Sequence, residues 1–128
     1  MTARPEDPPA IVPEVLPRER SERQAIADAI SAAYKAQYGR GPESIKVHLN
    51  PDSVLAVLRG GFSIVEESLR KAGRSEAVRD QRRAFGDMIA PTLGVAVSEV
   101  LGREVVAVLA DTCQDPDLGA IVLVLERP

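Results

Sequence analysis

Arg79, Arg82 and Arg83 are the residues of this 128-residue chain whose type and spacing best suit them to chemistry. A guanidinium presents a planar fork of donors that matches a carboxylate or a phosphate. On a helical wheel of about 100° per residue with Val78 at the origin, Phe85, Ile89, Ala96 and Val100 fall on one apolar stripe. Arg79 and Arg83 then share a flank, and Arg82 lies on the border of the stripe, where it needs an acceptor. The three arginines could hold an anionic ligand, a nucleic-acid backbone or an acidic partner. The plainer alternative is a solvated helix face with the intrahelical pairs Glu76 to Arg79 and Arg83 to Asp87. The stretch from Arg59 to Arg83 carries seven basic and four acidic residues, whereas the chain as a whole has a net charge of -3.

Other reactive side chains are scattered. His48 alternates with apolar residues beside Lys46, as an exposed strand histidine does, with no nucleophile or carboxylate at a telling spacing. Cys113 opens a turn between Asp111 and Asp115, whose charges oppose thiolate formation. Asp111, Asp115 and Asp117 lack the glycine-centred pattern of a calcium loop, and aspartates favour turns anyway. Gly39-x-Gly41 and Gly60-Gly61 match neither the phosphate-binding loop nor the dinucleotide fingerprint. One Cys and one His exclude an internal disulfide and the usual nitrogen and sulfur zinc sets. No catalytic set, metal or cofactor is therefore expected. An enzyme built on lone carboxylates such as Glu43 or Asp111 is the weaker alternative.

The elements that must position these residues are legible from pattern. Residues 1 to 17 hold five prolines and read as a disordered tail. The remainder, 18 to 128, reads as a single, nearly neutral domain. Ile26, Ala29, Ile30, Ala33 and Tyr34 recur at helical spacing, and Gly39 with Gly41-Pro42 ends that helix near Tyr38. Ile45, Val47 and Leu49 alternate with polar residues as in a half-covered strand, Asn50 to Ser53 turn the chain, and Val54 to Leu58 run unbroken as a fully covered strand. Ser63 caps a short helix reaching about Ala72. Ser75 begins a long one reaching about Leu101, with Pro91 expected to kink it near Asp87. Two further apolar strands, Val105 to Thr112 and Ala120 to Glu126, flank a turn-rich segment.

The order α-β-β-α-α-β-β predicts an α+β domain: two hairpins forming a mainly antiparallel four-stranded sheet packed on three helices. Three of the four strands are apolar on both sides, so both sheet faces need cover, and three helices shield one. A homodimer is expected to cover the other. The alternative is that the first helix crosses to the far face. With only Tyr34, Tyr38, Phe62 and Phe85 as aromatics, stacking of nucleic-acid bases is not expected. No uninterrupted run of 18 apolar residues is present and the first thirty residues lack a secretory pattern, so a cytoplasmic protein without membrane insertion is expected.

Several spaced motifs carry a family likeness: Tyr38-Gly39-Arg40-Gly41-Pro42, Lys71-Ala72-Gly73-Arg74, Arg79 with Arg82-Arg83-Ala84-Phe85, Leu101-Gly102-Arg103, and Asp115-Pro116-Asp117. Over roughly residues 20 to 126 the chain resembles the MpsC-like family of small bacterial proteins, departing from it between Asp87 and Val97. The resemblance implies a soluble accessory role, possible contact with a protein of a sodium-dependent, membrane-potential-generating system linked to inorganic carbon supply, and importance for Arg40, Arg79, Arg82 and Arg83. The function expected is a non-enzymatic binding protein. A nucleotide- or nucleic-acid-binding regulator using the Arg79, Arg82 and Arg83 face is the alternative.

Overall fold

The computed structural model describes residues 17–127, without the side chains of Pro17 and Glu19. The expected tail therefore lies outside the described residues except for Pro17, which opens the first helix. The elements are α1 (Pro17–Tyr38), β1 (Ser44–Asn50), β2 (Ser53–Arg59), α2 (Ile64–Lys71), α3 (Ser75–Leu101), β3 (Val105–Cys113) and β4 (Leu118–Leu125). This is the expected α+β order. The two hairpins join into one antiparallel sheet of order β1-β2-β4-β3 because β4 pairs with β2 along its whole length, from Ser53 opposite Val124 to Arg59 opposite Leu118. β4 begins two residues earlier than its apolar run suggests, since Leu118 and Gly119 still pair with Cys113 and Thr112 across the turn.

Two helix boundaries have a clear local cause. Ser63 and Glu66 form a capping box: the Ser63 hydroxyl accepts from the Glu66 backbone N–H at 3.1 Å, and the Ser63 backbone N–H donates to Glu66 Oε1 at 3.2 Å. α3 ends at Gly102, whose φ of +64° suits glycine and whose N–H donates to the Ser98 carbonyl. α3 remains one helix through Pro91. Among the described residues it is the one helix long and apolar enough to cross a membrane. In this fold it lies on the sheet, with Ile89, Leu93 and Val97 buried.

The core is one-sided. Ile26 and Ile30 from α1 and Ile89, Leu93 and Val97 from α3 close over Val47, Val54, Ala56, Ile121, Leu123 and Leu125 of the sheet. The first helix is thus on the same side as α3, and no described helix covers the opposite face. Along β2, Val54, Ala56 and Leu58 are buried while Leu55 and Val57 are only half-buried, so the strand is not fully covered as its unbroken apolar run suggests. Most of β3 is exposed, Leu109 by 61%. The apolar residues on the outer face exist as read, and among the described residues no helix is laid over them.

Arg103 ties the far end of the domain, donating through Nη1 to the Pro51 carbonyl at 2.7 Å and through Nη2 to the Glu126 carbonyl at 2.9 Å. Leu123 sits fully buried on the central strand β4. Leu123→Ala should lower the free energy of unfolding by about 2 to 5 kcal/mol, measured by denaturant titration.

Candidate functional site

Arg82 lies where α2, α3 and the β3–β4 turn meet. Its Nε donates to Glu66 Oε2 at 2.7 Å, its Nη2 to Asp117 Oδ1 at 2.8 Å, and its Nη1 to the Cys113 carbonyl at 3.4 Å. The Arg82 side chain is 13% exposed and that of Glu66 1%. The guanidinium also lies 4.2 Å above the centre of the Phe62 ring, a ring that Arg70 shares at 4.6 Å. The border arginine therefore finds its acceptors inside the protein. Burial pushes its pKa down, but the hydrogen bonds and charges of Glu66 and Asp117 outweigh that and raise it, so Arg82 stays cationic.

Glu66 is held from both ends: Oε1 accepts from the Ser63 N–H and hydroxyl, and Oε2 accepts from Arg82. Its capping role positions it for the ion pair. Asp117 is aimed by the turn, where its own carbonyl accepts from the Gly60 N–H at 3.1 Å. Gln114 ties the same turn to α3 by donating to the Ser75 carbonyl at 2.9 Å.

Beside this ion-pair cluster opens a cleft of about 170 Å³ between the first half of α3 and one end of the sheet. Arg40, Arg79, Arg82 and Arg83 all line it. Arg40 reaches it from the loop after α1, where Nη1 donates to the Phe62 carbonyl at 2.7 Å. That loop lies close to Gly60 and Gly61: both have positive φ, and a Cβ on Gly60 would sit 2.6 Å from Glu43. Neither Arg79 nor Arg83 makes a hydrogen bond or ion pair among the described residues, although the Arg79 charge helps hold Glu76 low. The chief cause at Glu76 is its hydrogen bond with Arg74, made in place of the pairing with Arg79 considered from sequence.

The cleft's floor is apolar, formed by Leu58, Val108, Ala110 and Ile121 of the sheet. Tyr34, Tyr38 and Phe85 form an aromatic wall, with Phe85 5.6 Å from Tyr34 and 4.9 Å from Tyr38 between ring centres. Burial raises the Tyr34 phenol, against the opposing charge of Arg82, so this wall presents a neutral hydroxyl. The space exists because small residues face each other, Gly86 and Ala90 on α3 against Ala110 and Gly119 on the sheet. A Cβ at Gly86 would meet nothing within 4 Å. Glycine inside a helix costs roughly 0.5 to 1 kcal/mol relative to alanine, and packing gains nothing in return at this position.

Sequence pattern leaves Glu66, Asp117, Phe62 and Gly86 without their roles here. The Ser63-x-x-Glu66 spacing is the one signal that could reveal the glutamate's position. Cys113 is exposed, its thiol contacting the Pro116 carbonyl at 3.1 Å, and among the described residues no cluster could hold a metal ion.

Residues 19–127 match the family model described as "Na+-translocating membrane potential-generating system (MpsC)". The chain belongs to the MpsC family. No curated protein matches it, and neither does any solved structure. For this MpsC family member the arginine-pair motif divides into two kinds of residue. Arg82 holds three elements together, whereas Arg79 and Arg83 face the cleft. Arg82→Met should cost about 3 to 5 kcal/mol of stability, because it leaves a buried carboxylate uncompensated. Adding Glu66→Gln should recover part of that loss in a double-mutant cycle followed by denaturant unfolding.

Proposed function

We propose that this MpsC family member acts by association rather than catalysis, as a cytoplasmic, homodimeric accessory subunit of a membrane-potential-generating system, joined through the outer face of its sheet. One observation carries the reading: a sheet face rich in Leu and Val to which no described helix of the chain is applied. The solvated face of an antiparallel sheet is ordinarily polar, and this one is largely apolar. Leu55, Val122 and Leu109 form a single cross-strand row with His48, and Val124 and Ala107 lie beside it.

A second copy suits this face by charge as well as by apolar surface. The neighbouring row runs Lys46, Val57, Ala120, Asp111, with a cation on edge strand β1 and an anion on edge strand β3. A twofold axis parallel to the strands lays β1 of one protomer over β3 of its partner, bringing Lys46 toward Asp111 twice. Sheets stack about 10 Å apart, a gap that an extended lysine and an aspartate can bridge. An axis across the strands would instead lay β1 over β1 and forgo that match. The family description supports the link to a membrane-potential-generating system.

Sedimentation equilibrium tests the pairing. The expected mass is twice the 13.7 kDa of one chain. Leu109→Glu should yield monomers by placing a carboxylate in the apolar interface. Lys46→Asp should weaken association, and Lys46→Asp combined with Asp111→Lys should restore it. A single-chain mass at every concentration, or a dimer indifferent to these changes, would overturn the reading.

A further inference from the structure

We infer that the cleft between α3 and the sheet is a binding site for a small organic anion with an apolar body, such as an aromatic or short-chain carboxylate. The site lies on the helix side of the sheet and does not depend on the outer-face pairing. Three observations converge on this ligand class.

Size comes first. A cleft of about 170 Å³ opens where Gly86 faces the sheet. A cavity of about 150 Å³ accommodates a benzene ring, so one ring or a chain of similar bulk fits. Charge comes second. Arg79 and Arg83 stand one helical turn apart, an arrangement of like charges that disfavours the helix, and neither is hydrogen-bonded or ion-paired among the described residues. Glu66 and Asp117 are engaged by Arg82, so neither serves Arg79 or Arg83 as a counterion, and among the described residues Asp87 and Asp111, which also line the cleft, pair with neither arginine. A bound carboxylate would take the donors of Arg79 and Arg83 in charge-assisted hydrogen bonds. Surroundings come third. Leu58 and Ile121 below and the Phe85 ring at the side offer hydrocarbon contact, which an inorganic anion would not use.

Calorimetric titration of the full chain with benzoate tests the assignment, with benzyl alcohol and inorganic phosphate as controls. Benzoate should bind saturably with Kd on the order of 1 mM or tighter. Its amide chemical-shift changes should centre on residues of the cleft. Benzyl alcohol, lacking the charge, should bind at least about tenfold more weakly, as should benzoate to Arg79→Gln or Arg83→Gln. Phosphate should bind more weakly than benzoate. Gly86→Leu, which adds a good helix former and fills the space, should abolish binding while leaving the folded spectrum intact. Equal affinity for the alcohol and the carboxylate, a preference for phosphate, unchanged binding in Gly86→Leu, or no saturable benzoate binding would each overturn the assignment.

Discussion

A four-stranded sheet has two faces, and the described helices of this chain all lie on one. α1 lies against β1 and α3 against β3, the two helices pack on each other, and α2 braces α3. With the cover used up in this way, Leu55, Val57, Val122, Val124 and Leu109 form an apolar surface on the other side. Antiparallel sheets are stable with one face wet when that face is polar. The outer face departs from that rule along most of three strands, and the proposed pairing resolves the departure.

On the covered side, the Glu66–Arg82–Asp117 cluster joins three chain segments that backbone pairing does not connect. Buried ion pairs are costly to desolvate, and their net gain over apolar packing is small. What they supply is geometry: a short fork of fixed hydrogen bonds holds the end of the β3–β4 turn and the start of α2 against one side of α3. The cleft lies beside that frame, with Gly86 and Ala90 as its thin wall and Arg79 and Arg83 among its lining.

The fold was largely legible because its signals are local. Ile26, Ile30 and Tyr34 mark α1 by periodicity, Gly102 marks the end of α3, and Ile45, Val47 and Leu49 mark a one-sided strand. The apolar character of the second sheet face was also readable, since the unbroken apolar runs put Leu and Val on both sides of the strands. The pattern could not say which side each helix takes, and the fully covered β2 expected from Val54 to Leu58 gave way to one buried and one half-open side. Of the site, the arginines were visible by type and the demand of Arg82 for an acceptor by its wheel position. Its partners were not, because Glu66 is 16 residues away and Asp117 35, and only tertiary packing brings them together. Gly86 was silent for a different reason: a cavity is set by what two facing surfaces both lack, and one segment's pattern records neither.

MpsC family membership connects this chain with a system that generates membrane potential, and the outer sheet face is where the fold is least complete in isolation. Isotope-filtered nuclear Overhauser spectroscopy on an equal mixture of methyl-labelled and unlabelled protein examines that surface directly. The account predicts contacts between protomers from the methyls of Leu55, Val122, Val124 and Leu109. Contacts between protomers only through Met88 and Val95 on the outer side of α3, or none at all, would contradict it.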